Sequence, residues 1–351
     1  ALQMVLMILG SILVTILGIK ALGGVGELKA TLAPGFFSMW REANDPEFPW
    51  TGILFGAPIL GVWYWCTDQF VVQRVLAAHN ITEARRGSIF GGLLKMLPLF
   101  IFVIPGMICF AMSEKGLLTL SKPDLALPTL MASVLPTGLK GLVIAGLLAA
   151  LMSSLSSVFN SCSTLITYDF YKKVNPKASE KSLIRFGQIA TVILVLFGLA
   201  WIPLMKIISG QLFTYLQSVQ AYISPPIAAV FLLGIFFKKI NAFGAMCSLW
   251  TGFILGIGRL ILELNKSSLT GVLKSYVSIN FLHFALFLFV ICSAILIVAS
   301  LLTSQKKSFD ELKDITYNWQ GKWKITPDQK LDMGLSIFLV LIIFITWFIF
   351  S

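Results

Sequence analysis

Charge is scarce in this sequence. Of 351 residues only 12% are Asp, Glu, Lys or Arg, against roughly 25% in soluble domains. That scarcity, with 57% hydrophobic residues and a mean hydropathy of +0.87, excludes an ordinary soluble protein. Histidine is nearly absent: His79 and His283 stand alone, too few and too isolated for a metal site. The five cysteines (Cys66, Cys109, Cys162, Cys247, Cys292) show no CxxC spacing and lie in or beside apolar runs, where they read as packing residues. No Walker sequence and no GxGxxG opens a helix after a strand, so nothing suggests a nucleotide-driven pump. The chain begins at Ala1, inside an apolar run, with neither Met nor a charged leader. It lacks the cleavage pattern of a secretory signal, and a truncated chain is expected.

What the sequence has is apolar runs of bilayer length, about 20 residues each. Nine spans are predicted, at 2–19, 52–73, 92–112, 140–167, 186–208, 211–236, 243–263, 279–302 and 332–350. Backbone polar groups in hydrocarbon need internal partners, so spans are helices or strands of a closed barrel. Barrel strands alternate apolar and polar residues, and these runs do not. The fold class is all-α membrane protein. The net charge of +11 follows the loops rather than a nucleic-acid face. With alternate loops on opposite sides, 16 Lys and Arg fall on one side and 9 on the other, while Lys95 and Arg259 lie in or at the edge of spans. The richer side is expected to be cytoplasmic, so residue 1 starts inside and residue 351 ends outside.

Three spans carry polar chemistry. In the second, Gly56, Pro58 and Gly61 precede Thr67, Asp68 and Gln69. Gly and Pro free backbone groups there, and broken helices form the binding sites of secondary transporters; a kinked packing helix is the plainer alternative. The fourth contains a stretch rich in hydroxyls from Ala149 to Thr164, and Ala150, Ser153 and Ser154 share one face at i, i+3, i+4. Close interhelical packing is the alternative there. The sixth holds Gln211, Gln217 and Gln220, which need partners or a wet cavity, and then Pro225-Pro226, which is expected to break the helix. Residues 304–331 read as a mobile cytoplasmic loop before a final anchor helix.

These residues resemble the sodium/solute symporter family, and within it the sodium–glucose cotransporter branch. The likeness rests on Trp63 to Gln69 leading to Gln73-Arg74, on Ser153-Ser154 followed by Phe159-Asn160-Ser161, and on Gly234 through Lys239 with Gly244-Ala245 and Ser248 to Gly252. The resemblance implies two inverted five-helix repeats within about 14 helices. Residues 1–20 would be the last helix of the first repeat, 51–237 the second repeat with its broken helix at 52–73, and 238–351 peripheral helices, all in one transmembrane domain. About five N-terminal helices would then be missing. It further implies sugar contacts at Tyr64, Trp65, Lys95 and Gln217, with Tyr64 an inner gate and Phe213 an outer one. A sodium half-site would comprise the Ala150 carbonyl with Ser153 and Ser154, and Ser156 and Ser157 could serve a second sodium site. Gly61 departs from the Thr or Asn of glucose transporters, and Thr214 from an acidic or amide residue, leaving glucose, galactose and inositol open.

The function this implies is symport of Na⁺ with a hexose or polyol by alternating access, in the plasma membrane. No covalent catalysis, cofactor, nucleic acid or obligate protein partner is expected. A symporter for sialic acid or an amino acid, and a sugar-gated membrane sensor, are the other readings.

Overall fold

The computed structural model describes residues 2–208, 212–303, 312, 315–317 and 326–351. Gln211 and most of the 304–331 loop lie outside the described residues. Within these the helices follow in order as α1 (Leu2–Leu22), α2 (Val25–Thr31), α3 (Trp50–Phe55), α4 (Ala57–Val62), α5 (Gln69–Leu76), α6 (Ile81–Leu94), α7 (Ile104–Glu114), α8 (Ala126–Val134), α9 (Thr137–Leu165), α10 (Lys172–Val174) and α11 (Glu180–Ile208). Then come α12 (Leu212–Phe236), α13 (Ala242–Leu264), α14 (Gly271–Ser278), α15 (Phe281–Leu301) and α16 (Pro327–Ile349). Wider π-helical turns join α4 to α5 (Trp63–Thr67), α6 to α7 (Leu99–Val103) and α9 to α10 (Ile166–Tyr171).

Eight described helices or helix runs are long and apolar enough to cross a membrane, rather than nine. The ninth expected span, 52–73, is three short helices and a π turn, because Gly56, Pro58 and Asp68 interrupt it. The third expected span starts earlier than its apolar run: α6 begins at Ile81, where the Asn80 side chain accepts from the Glu83 N–H at 2.8 Å.

The chain divides into two compact units. The first comprises Ala1–Met39, His79–Ile202 and Leu331–Ser351. Its core joins α1, α7, α8 and α9 through Val14, Ile108, Leu130 and Val143. Gly10 permits the approach of α1 to α9, since a Cβ there would stand 2.7 Å from the Val143 side chain. At the start of α16 Arg86 donates to buried Asp332 at 3.1 Å. At its end the Met39 N–H donates to the Phe350 carbonyl at 2.6 Å. Glu27 pairs with Lys115. Each of these contacts joins loops that the alternating topology puts on one side of the membrane.

The second unit comprises Trp40–Ala78 and Pro203–Lys330, built on α12, α13 and α15. Gly244, Ser248, Gly252 and Gly256 recur every four residues on α13, a small-residue stripe that lets backbones meet. Ser248 donates to the Cys292 carbonyl at 3.0 Å. A Cβ at Gly252 would overlap the Pro226 ring, and one at Gly256 the Tyr222 carbonyl. This explains why the expected break at Pro225-Pro226 does not occur and α12 runs through both prolines. The two missing N–H groups free the Ala221 and Tyr222 carbonyls, but α13 packs against that stretch and holds it helical.

Arg259 is buried one turn further along α13. It donates to the Tyr276, Val277 and Ile279 carbonyls, ending α14. Its guanidinium lies 4.2 Å from the Phe284 ring centroid and 5.1 Å from that of Tyr222. Tyr222 in turn donates to Glu263 at 2.6 Å.

Candidate functional site

Five of the six residues expected to touch sugar belong to the second unit, on two elements that pack together: the broken segment and α12. The break is fixed locally. The buried Gly56 N–H donates back to the Gly52 carbonyl at 2.7 Å, closing α3. A Cβ at Gly56 would overlap the Leu282 carbonyl of α15. Pro58 then supplies a residue without N–H in the first turn of α4, where none is needed.

After α4 the helix widens. The Asp68 N–H reaches the Trp63 carbonyl at 3.0 Å, and the Thr67 hydroxyl donates to the same oxygen at 2.7 Å. Asp68 leaves helical geometry and its carboxylate accepts from the Phe70 N–H at 3.0 Å, starting α5. Asp68 is thus a cap, a role the sequence reading left unassigned. Tyr64 and Trp65 occupy the π turn, half-buried, with ring centroids 5.6 Å apart edge to face. Such turns often mark functional sites.

Gly61 is half-buried, and a Cβ on it would meet open space. On α12, Gln217 and Gln220 are half-buried and Phe213 is exposed, its ring 6.0 Å from that of Phe48. The Thr214 carbonyl accepts from the Ser218 hydroxyl at 2.9 Å. Lys95 stands apart from these five, in the first unit, as the exposed residue that closes α6.

The expected sodium ligands all lie on α9, in the first unit. Ala150 and Ser157 are half-buried, while Ser153, Ser154 and Ser156 are exposed. The Ser157 hydroxyl donates to the Ser153 carbonyl at 2.9 Å, and the Ser161 hydroxyl to the Ser157 carbonyl at 2.8 Å. The Ser157 and Ser161 protons are committed to the helix, so those two hydroxyl oxygens keep lone pairs to offer. Among the described residues no cluster of His, Cys, Asp and Glu could hold a metal.

Sequence reasoning missed two features. One is the aromatic cage around Arg259, for which a charge at the edge of a span was the available signal. The other is the Thr51 hydroxyl within 2.7 Å of His283 Nε2, a pairing across 232 residues that no local pattern reveals.

Helices long and apolar enough to cross a bilayer, with a broken segment bearing polar and aromatic side chains, define a helical membrane protein. Residues 1–252 match the Sodium:solute symporter family. The chain belongs to that family, whose members are transporters rather than enzymes. It is 41% identical over 76% of its length to sodium/glucose cotransporter 1 of Ovis aries, covering 43% of that protein. To the sodium/mannose cotransporter of Bos taurus it is 36% identical over 95% of its length, covering 61% of that protein. To sodium/myo-inositol cotransporter 2 of Homo sapiens it is 40% identical over 75%, covering 44%. The chain therefore spans about half the length of the curated relatives it matches. Its fold also aligns with a Na⁺-coupled sialic acid symporter at a TM-score of 0.65 and 22% identity, over 87% of this chain and 62% of that one.

Proposed function

We propose that this chain forms part of a plasma-membrane symporter that moves a hexose or a polyol with Na⁺ by alternating access. The observation that carries the reading is the π turn bearing Tyr64 and Trp65, packed against the α12 helix that bears Gln217. Sugars present apolar C–H faces edged with hydroxyls, and an aromatic face beside amide donors is complementary to both. Tyr64, Trp65, Gln217 and Phe213 form the sugar side, with Gly61 leaving one hydroxyl unread; Lys95 is a sugar donor on the family resemblance alone. Ala150, Ser153 and Ser154 give oxygen ligands to the coupling ion, and Ser156 and Ser157 to a second ion. Residues 51–237 serve as one inverted repeat, and residues 1–20 close the other. The ion gradient supplies the energy and no cofactor is needed.

The names of the sugar and inositol relatives favour this class of solute over sialic acid or an amino acid. Uptake of labelled glucose, galactose, mannose and myo-inositol by cells expressing the gene product, with Na⁺ and with choline in its place, tests the reading. Uptake of at least one of them that requires Na⁺ is expected. Sugar binding without uptake would make the protein a sensor, and no binding of any of the four would reject the sugar reading.

A further inference from the structure

A half-open groove of about 430 Å³, lined by polar side chains together with Tyr168, Leu183 and Ile184, lies within the first unit, between the end of α9 with its π turn and the first three turns of α11. Its lining includes Asn160, Thr164, Thr167, Glu180, Gln188 and Thr191. Thr167 is 4% exposed, and its hydroxyl is buried with no hydrogen-bond partner among the described residues. A buried hydroxyl left unpaired costs free energy, so an unpaired group lining the groove points to a ligand or water there. Gly187 keeps the space in front of it, since a Cβ there would stand 3.4 Å from Thr167 Oγ1.

The character of the lining selects the ligand. The Thr191 hydroxyl donates to the Gly187 carbonyl at 2.9 Å and the Ser163 hydroxyl to the Asn160 carbonyl at 3.1 Å, so both turn oxygen lone pairs outward. Glu180 adds the one carboxylate in the lining, and no Lys or Arg lines the groove. Lys172 stands outside the lining with its ammonium over the Tyr168 ring, 5.1 Å from the centroid. This end of α9 leads into the loop that the Lys and Arg distribution places in the cytoplasm, a side otherwise rich in positive charge. Several side-chain oxygens with one carboxylate and no cationic side chain in the lining favour a small hard cation there. At about 30 Å³ per water the volume has room for such an ion with its hydration shell.

We propose that this groove is a cytoplasmic vestibule that holds hydrated Na⁺ on the cytoplasmic side of the α9 ion face. The proposal rests on the sodium-coupled reading above. It adds a further, sided site, built from Thr167, 14 residues along the chain from Ser153, and Glu180 of α11.

The test is reverse transport in excised inside-out patches from cells expressing the gene product, with Na⁺ titrated at the cytoplasmic face. Forward transport with Na⁺ titrated outside is measured in parallel. Glu180→Gln and Thr167→Val are expected to raise the half-effective cytoplasmic Na⁺ by about three- to fivefold, the scale of an exposed charge interaction. The outside Na⁺ dependence should stay unchanged, and Thr167→Ser, which keeps the hydroxyl, should behave as wild type. Should Thr167→Val not reach the surface, Glu180→Gln decides alone, because its side chain is exposed and carries no packing. Unchanged cytoplasmic Na⁺ dependence, or an equal shift on both faces, overturns the vestibule while leaving sodium coupling intact. Wild-type transport indifferent to Na⁺ on either face overturns both.

Discussion

The helices α12 and α9 carry the two halves of the proposed chemistry and are held in opposite ways. In α12, 39% of the apolar window is buried, against α13 and α15 and around two prolines; in the span that α9 begins, 11% is. The α12 backbone is set by contacts with its own unit: the Gly252 and Gly256 stripe, and the Arg259 cage around Tyr222. The hydroxyl face of α9 is set mainly by the helix itself, through Ser-to-carbonyl bonds four residues apart. A sugar needs a shaped wall with fixed aromatic planes and amides, which tight packing supplies. A cation needs oxygens, which the hydroxyls and carbonyls of a helix supply.

The sharpest way to break this contrast is Arg259→Met. It takes a charged donor from three carbonyls at the end of α14 and empties a buried aromatic cage, so a loss of about 3 kcal/mol is expected. It is read as a fall in thermal midpoint of the detergent-purified protein. A midpoint within a degree or two of wild type would mean the cage does not anchor the second unit.

Gly256→Leu comes next. Overpacking at a backbone contact costs about 1–3 kcal/mol, while Gly61→Ala, facing open space, should leave the midpoint unchanged. Similar midpoints for the two variants would remove the difference between a packed and an open glycine.

Gln217→Ala is expected to weaken sugar binding about tenfold, roughly 1.4 kcal/mol, at normal surface expression. Ser153→Ala should instead raise the Na⁺ needed for half-maximal uptake. Linkage then requires weaker sugar binding at fixed Na⁺ as well. A Ser153→Ala protein with wild-type Na⁺ dependence would leave α9 as a packing helix only. At the sugar wall, a Cβ on Gly61 meets open space, and Gly61→Asn should change the preference among hexose epimers by a few-fold. Unchanged preference means position 61 does not line the pocket.

The smallest effect concerns Glu27. Its hydrogen bond and charge pairing with Lys115 hold the carboxyl below the usual value of 4.5. A depressed folded pKa contributes stability above the unfolded value that is lost as pH falls through the folded one. The midpoint difference between wild type and Glu27→Gln should therefore shrink as pH is taken below 4.5. The pair is solvent-exposed, so the difference is small throughout. A constant difference across that range would assign it to packing instead.

Membrane residence, all-α class and alternation of sides follow from sequence alone, because hydrocarbon forces every span to be apolar and internally bonded over a fixed length. Gly56, Pro58 and the Thr67-Asp68-Gln69 end announced the broken segment for the same local reason: they remove or compete for helical hydrogen bonds. Where the outcome hung on a distant neighbour, the sequence was silent or misleading. Pro225 and Pro226 predict a break, yet α13 packs against the freed stretch through glycines about 30 residues away. Arg259 read as a stray charge until α14, Tyr222 and Phe284 closed around it. Thr167 was one hydroxyl among many until α11 left it buried beside a groove. Local bonding is written in adjacent residues, whereas burial and pairing belong to surfaces that meet only after the chain has packed.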